Sequence, residues 1–509
     1  MNTISKDALI VASRQELIDI IIQQASVIEK HQCQIQELQF QLDWFKRQVF
    51  GSKSEQFIPD DDLQEALDLG VIKNDETKND TAPTKITYEK KPVSSDIKPL
   101  TGHGRGPMPT HLPITDVVIE PEGDLSGMVR IGEEVSWYFD MDKPASLRII
   151  RTIRPKYVTP KKDDVTVAKL PALPIEKGNA GPGLLTQILI DKYEYHIPLD
   201  RQRKIFKNEY DVEFSESWLC DNVKNSVFWL EPVFNEYAEI ILSSDYLQAD
   251  ETTIPVLTKD HKGKTHRGYY WVYNDPIRHI AIFDYRKSRS REGPNEFLKN
   301  FNGTLQIDGY EGYQEIIIKN ALKRGGCLDH VRRRFEKALA YDNERATFAL
   351  DSMRVWYMLE RQARESGLSF NDKLAMRREK IAPSMGCFKQ WMLEQVSQVL
   401  PKSPMGIALS YALNQWTFFD PYLNDGRIEL SNILIENAIR PVAIGRKNYM
   451  FAGSHEAARR AAIVYSLTST AKWHGCDPFV YIKELLTELP RSKSCNIGKF
   501  LLPQWKPSC

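Results

Sequence analysis

Tyr246-Leu247-Gln248-Ala249-Asp250 and Thr304-Leu305-Gln306-Ile307-Asp308 are built alike, each an apolar run that delivers an aspartate at its carboxyl end. Gly268-Tyr269-Tyr270-Trp271-Val272-Tyr273 and His279-Ile280-Ala281-Ile282-Phe283 are further short apolar or aromatic runs bounded by turn residues. Together they read as strands of one buried sheet. If the two aspartate-bearing strands lie side by side, both carboxylates point into one crevice. Gly309-Tyr310 lets the chain turn away after Asp308 and leaves that carboxylate accessible. Taken singly, an aspartate at a strand end also serves to cap the next turn, so it is the shared context that singles out the pair.

Glu436 stands far downstream in a helix-like segment, flanked by Asn432 and Asn437 and followed by Arg440. Three acidic groups converging without neutralisation repel one another and raise one another's pKa, so a divalent cation is their natural partner. Hard oxygen ligands select Mg²⁺ or Mn²⁺ over zinc. Two such ions, about 3.5 to 4 Å apart, activate an attacking oxygen and stabilise the leaving one in an in-line phosphodiester displacement. Glu251 follows Asp250 directly and, if the strand persists, faces away from the crevice.

Outward from these strands the period changes. After Arg332 the pattern is helical to about Leu413, with Trp356, Trp391 and Trp416 as core aromatics, and Leu430 to Ile439, Ala457 to Ala471 and Phe479 to Leu489 are helical again. Upstream, Gly183 to Asn225 reads as short helices with a basic face of Arg201, Arg203 and Lys204, a turn near Asp211, and Ser215 as N-cap. This resembles a helix-turn-helix, a pattern shared with helical hairpins of ordinary cores. Val117 to Tyr157 alternates as a small β-rich module, and Pro59 to about Pro99 has too few large apolar side chains to offset the entropy of ordering it. Ile21, Ile28, Ile35, Leu42 and Val49 recur at heptad spacing beside Leu17, Leu38 and Phe45, a coiled-coil seam that implies a homo-oligomer, with packing of the helix against its own chain as the alternative. The expected division is a coiled-coil helix (1–58), a disordered acidic linker (59–100), the β-rich module (101–175) and a helical, helix-turn-helix-like DNA-binding region (176–240). A core in two parts (241–336, and 426–475 with Glu436) surrounds a helical insertion (337–425), before a C-terminal helix and tail (476–509).

The 509 residues exceed one core's usual reach, and 42% hydrophobic residues suffice for a sizeable core. No apolar run approaches the length of a membrane span, and residues 1–14 lack the pattern of a signal peptide, so a soluble cytoplasmic protein with no membrane partner is expected. Seven scattered cysteines contain no C-x-x-C pair. Lys+Arg and Asp+Glu are equal at 68, so net charge excludes nothing about nucleic acid; only local basic clusters bear on it. Gly102-x-Gly104-x-Gly106 is followed by Pro107 and preceded by no strand, which rules out a phosphate loop. Cys327-x-x-His330 has metal-ligand spacing but only two such ligands locally, favouring a structural role, with phosphate contact as the alternative. Arg332 and Arg333 beside it, and Arg440, Arg446 and Lys447 near Glu436, are candidates for gripping a DNA backbone.

At these residues the chain resembles the insertion-sequence-66 family of transposases. The likeness rests on Ala249-Asp250-Glu251-Thr252, Phe283-Asp284-Tyr285-Arg286, Asp308-Gly309-Tyr310-x-Gly312-Tyr313, Cys327-x-x-His330-x-Arg332-Arg333-x-Phe335, and Glu436-Asn437-Ala438-Ile439-Arg440-Pro441 running into Gly445 to Ser454. The resemblance implies an α/β fold: a ribonuclease-H-like catalytic core with a mostly α-helical insertion, preceded by the coiled-coil helix and the β-rich module. It also implies a DDE triad, here Asp250, Asp308 and Glu436, binding two Mg²⁺ ions. Its implied partners are DNA, as terminal inverted repeats and target, together with accessory transposition proteins, and binding to DNA would associate the protein with the nucleoid. Water would cut at the element ends, and the freed 3′-hydroxyls would attack target DNA. The family's zinc-binding module carries cysteines, whereas Val117 to Lys162 has none, so zinc is not expected there. Two other readings are a catalytically inactive DNA-binding protein derived from a transposase, and another ribonuclease-H-like nuclease such as a resolvase. The intact acidic residues argue against the first, and the long helical insertion against the second.

Overall fold

The computed structural model describes residues 109–505 apart from 127, 143–145, 161–164, 259–263 and 493–496. The expected coiled coil and acidic linker lie outside the described residues.

A small sheet opens the described chain. β1 (Ile114–Val118) lies parallel to β3 (Ser146–Val158), and β2 (Val129–Asp142) and β4 (Val165–Val167) pair with β3 antiparallel. Phe139, Met141, Leu147 and Ile149 are buried, because this end of the β2–β3 ladder packs on helix α1 (Pro182–Tyr193). The approach is close: a Cβ on Gly183 would stand 1.9 Å from the Met141 carbonyl oxygen, so only glycine fits. Asp140 Oδ1 accepts from the Leu184 N–H at 3.1 Å, satisfying one of the orphan donors of the helix start.

Helix α2 (Leu199–Tyr210) ends at Asp211, whose left-handed φ of 49° stops the helix. Ser215 then caps α3 (Glu216–Leu242) by accepting from the Trp218 N–H at 3.1 Å. The pattern from Gly183 to Asn225 predicts short helices here. α3 instead runs 27 residues, because Leu219, Val223, Val227, Leu230, Val233, Tyr237 and Ile241 extend one apolar stripe along the main core.

That core backs a five-stranded sheet with the order β7-β6-β5-β8-β9. β5 (Tyr246–Leu257), β6 (Thr265–Asp275) and β7 (Ile280–Arg286) form an antiparallel meander, and β8 (Thr304–Gln306) and β9 (Lys323–Gly325) continue it parallel to β5. Two short helices, α4 (Glu292–Phe297) and α5 (Gln314–Lys319), make the connections. Helix α12 (Ile433–Tyr449) crosses β5, and α13 (His455–Trp473) covers β7. Thirteen residues of α13 are buried, as expected of a helix wedged between a sheet and further helices. α14 (Pro478–Glu488) closes the layer against α1.

Between β9 and α12 the chain builds a second, helical core from α6 (Leu328–Ala338), α7 (Asn343–Glu365), α8 (Phe370–Met376), α9 (Ala382–Val396), α10 (Pro404–Gln415) and α11 (Asp420–Asn424). Trp356 is fully buried, edge-on to Phe388 at 5.4 Å, and Trp416 is buried beside it, whereas Trp391 is only partly covered. Arg377 and Glu360 form a buried ion pair, with Nε to Oε1 at 2.6 Å, and Tyr422 donates to the same carboxylate. Such a pair is costly to break one-sidedly, by about 3 to 5 kcal/mol. Tyr246, at the start of β5, packs into this helical core while its neighbour Leu247 packs into the other. β5 therefore joins the two cores. No helix among the described residues is long and apolar enough to cross a membrane.

Candidate active site

The placement of the two aspartates follows from register. β5 and β8 pair in parallel as Tyr246↔Thr304, Leu247↔Leu305 and Gln248↔Gln306. The same offset carried two residues further sets Asp250 opposite Asp308, and period-two alternation puts both on the face that carries the two glutamines. Asp250 does not end its strand: β5 continues to Leu257 because β6 pairs with it throughout, while β8 stops at Gln306. The crevice thus opens where a central strand loses its parallel neighbour. Asp308 Oδ1 accepts from the Tyr310 N–H at 2.8 Å, which turns the chain away.

Beneath the aspartates, Gln248 and Gln306 are fully buried and form a hydrogen-bonded ladder. Asn274 donates to Gln248 Oε1 at 2.9 Å, and Gln248 Nε2 donates to Gln306 Oε1 at 2.9 Å and to the Ser431 carbonyl at 3.2 Å. Gln306 Nε2 donates to the carbonyls of Gly326, at 2.7 Å, and Glu429, at 2.8 Å. The ladder therefore grips residues 429–431, the segment that leads into α12. Reading the sequence for carboxylates passed over both glutamines, although each stands two residues before its aspartate in the repeated Leu-Gln-x-Asp pattern.

Glu436 lies in the first turn of α12, where the helix dipole favours a negative charge. A second clamp sets that helix start. The buried Cys327 thiol donates to Asn432 Oδ1 at 2.8 Å, the Asn432 N–H returns to Cys327 Sγ at 3.5 Å, and the Leu328 N–H donates to the Leu430 carbonyl at 3.1 Å. Burial pushes the Cys327 thiol up to about 12, so it stays protonated as the donor. His330 Nδ1 is buried without a hydrogen-bond partner among the described residues.

The carboxylates feel one another. Burial, with the charges of Glu251, Asp308 and Glu436, pushes Asp250 up to about 8. Glu251 is also raised by burial, is held by Arg289 with Nε to Oε1 at 2.9 Å, and senses Asp308. Arg289 in turn lies over the Tyr310 ring, 3.8 Å from its centroid. Glu436 is drawn aside: its Oε2 accepts from Arg333, which also pairs with Asp329 at 2.7 Å, while its Oε1 is buried without a partner among the described residues. Among the described residues no three histidine, cysteine or acidic side chains stand close enough together to hold one metal ion.

The basic residues divide. Arg332 is tied to Asp329 and Glu336, and Arg333 to Asp329 and Glu436. Arg446 donates to Thr253 Oγ1 at 2.8 Å and Thr252 Oγ1 at 3.2 Å, fastening α12 to β5. Arg440 and Lys447 stand exposed on α12. Arg201, Arg203 and Lys204 are exposed on α2, with Arg203 and Lys204 paired to Asp200 at 3.0 and 2.6 Å.

The family model described as Transposase IS66 family matches residues 177–460, more than half of the chain and the whole of this site. A second model, described as Transposase C of IS166 homeodomain, matches residues 37–117. Similar proteins of Sinorhizobium fredii (strain NBRC 101917 / NGR234) include the uncharacterized protein y4jD, 30% identical across 94% of this chain and 96% of its own. The uncharacterized protein y4qI is 30% identical across 84% of this chain and 82% of its own. With a matched model over both halves of the acidic crevice and relatives aligned nearly end to end, the chain belongs to the IS66 family of transposases.

Proposed function

We propose that the chain is a metal-dependent DNA strand-transferase whose working residues are Asp250, Asp308 and Glu436. The observation that carries the reading is the parallel register of β5 and β8, which, carried two residues past its last pair, brings Asp250 opposite Asp308. A mixed five-stranded sheet with a glutamate-bearing helix laid across its central strand also supports a ribonuclease-H-like core.

The donor set, three carboxylates, suits hard cations, although as they stand no three acidic, histidine or cysteine side chains among the described residues gather around one ion. Burial first, and then its acidic neighbours, raise Asp250, and Glu436 keeps one buried oxygen without a partner among the described residues. Two Mg²⁺ or Mn²⁺ ions, when bound, would activate the attacking oxygen and stabilise the leaving one. Asp250 would hold the site from β5 and Asp308 from the turn that follows β8. Glu436 completes it by exchanging Arg333 for the ions, which leaves Arg333 at the edge of the site for a phosphate oxygen. In the first step water bonds to phosphorus and the 3′-oxygen leaves with the proton; in the second, that 3′-hydroxyl attacks a target phosphodiester and displaces its 3′-oxygen. The exposed cations Arg440, Lys447 and Arg201 lie on the outer faces of α12 and α2 and would bind backbone phosphates. Terminal repeats are the specific DNA partner, and an oligomer formed through the heptad segment would hold two ends together.

The experiment is cleavage of a duplex carrying the inverted repeats that flank the coding sequence, with Mg²⁺ or Mn²⁺. Wild-type protein nicks or joins it, and Asp308→Asn binds the DNA without cutting. Equal cutting by both proteins overturns the assignment. Binding without cutting by wild type supports instead a transposase-derived DNA-binding protein, the reading favoured by the present pairing of Glu436 with Arg333.

A further inference from the structure

A cavity of about 230 Å³ opens along β5 beyond Asp250. Its walls are mostly apolar and strongly aromatic: Tyr193 of α1, Ile254 of β5, Tyr270 of β6, Tyr449 at the end of α12, Phe451 just after it, and Ala461 of α13. The rim is polar and of mixed charge, formed by Lys192, Asp200, Glu216 and Asn448. Asp200 holds Arg203 and Lys204 of α2 behind it.

The loop that forms one wall is strained. Met450 has φ 61° and ψ −48°, and the Phe451 N–H donates to the Tyr449 carbonyl at 2.6 Å, which together make a γ-turn of the rarer, positive-φ hand. A β-bridge enforces it: the Ala452 N–H donates to the Pro255 carbonyl and the Leu257 N–H to the Ala452 carbonyl, both at 2.9 Å. Strain held in place by its surroundings is characteristic of functional sites. Here it presents the Met450 side chain, 39% exposed, beside the cavity mouth.

Position relates the cavity to the acidic crevice. Ile254 and Asp250 lie on the same face of one continuous strand, about 13 Å apart at a rise of about 3.3 Å per residue. One strand of DNA advances about 3.4 Å per nucleotide, so a backbone with a phosphate at Asp250 reaches the cavity within about four nucleotides. A small, aromatic-walled cavity with a polar rim at that distance suits a single planar heterocycle.

We propose that the cavity receives one nucleobase turned out of the DNA near the phosphate under attack, and that Met450 enters the stack the base vacates. The proposal rests on the reading of the chain as a DNA strand-transferase. An apolar wedge replaces the lost stacking partner, and the aromatic walls take the base irrespective of its identity.

The test uses full-length protein and terminal-repeat duplexes carrying 2-aminopurine at successive positions within about six nucleotides of the cleavage point. A chelator is present, so that the readout does not depend on cutting. Wild-type protein raises the fluorescence several-fold at one position. Ala461→Leu, which fills the cavity, returns that signal to the level of stacked DNA while gel mobility still reports the complex. Met450→Gly, which removes the wedge and is at ease at positive φ, lowers it too and serves should the leucine variant not fold. Bound DNA with no bright position, or a bright position unchanged in both variants, overturns the proposal while leaving the cleavage reading intact. Fluorescence that behaves as expected in a protein that never cuts leaves the cavity assigned and removes the catalytic reading.

Discussion

Asp250 and Asp308 are positioned by backbone register, whereas Glu436 is positioned by side chains. Between β5 and β8 every ladder hydrogen bond helps fix the two aspartates relative to each other, and a slip of one residue would turn one of them to the opposite face. The start of α12 is held by the Gln248–Gln306 ladder and the Cys327–Asn432 clamp, and the Glu436 carboxylate itself by an arginine. The first arrangement is rigid and the second adjustable. On the proposed reading, a site built this way would keep two ligands ready and withhold the third until its substrate is in place.

The largest expected effect comes from breaking the rigid half. Asp250→Asn should lower DNA cleavage by at least about a thousandfold. It should not lower the melting temperature. The carboxyl titrates near 8, above its ordinary value, so the folded state favours the neutral form, and above that pH an amide relieves a cost that the ionised carboxylate imposes. A rise of a few degrees in a thermal melt at pH 8.5 is the companion readout.

Next comes the adjustable half. Gln306→Leu removes the amide that links the sheet to residues 429–431 and strands buried groups on Gln248, Gly326 and Glu429. A stability loss of about 3 kcal/mol in denaturant titration is expected. Cleavage should fall about ten- to a hundredfold, as when the outer support of a metal site is lost. The aspartate pair should keep its first ion at wild-type affinity.

Proton linkage gives a smaller effect. Cation binding needs the Asp250 carboxylate, which is mostly protonated below about 8. Mn²⁺ affinity, measured by calorimetry, should climb about tenfold per pH unit from 6.5 towards 8 and flatten above it. The smallest effect is expected from Arg333→Ala, which frees Glu436. Stability should change by less than about 1 kcal/mol because the pair is partly exposed, and Mn²⁺ should bind several-fold more tightly. Weaker binding in this variant would make Arg333 a support of the site and not a restraint on it.

Much of the rigid half was legible in the sequence, because local pattern carries it: two apolar runs ending in aspartate need only pair in parallel to meet. The extent of β5 beyond Asp250 was not legible, since it depends on how far β6 runs alongside. The adjustable half rests on contacts that no local pattern encodes. Cys327 meets Asn432, and Arg333 meets Glu436, only because the helical core folds back between them. The present partners of the basic clusters were not legible for a related reason: Arg332, Arg333 and Arg446 look like phosphate ligands in the chain, and here bond acidic or hydroxyl groups brought to them by the fold. Likewise the apolar stripe of α3 had a helical period throughout, but its 27-residue length showed only once the core it lines was assembled.

Three carboxylates, from β5, the turn after β8 and the start of α12, are proposed to share a pair of ions. Electron paramagnetic resonance of Mn²⁺ titrated into the complex with terminal-repeat DNA measures this directly. Two bound ions per chain are expected for wild type and no more than one for Glu436→Gln or Asp308→Asn. Unchanged occupancy in both variants would contradict the account.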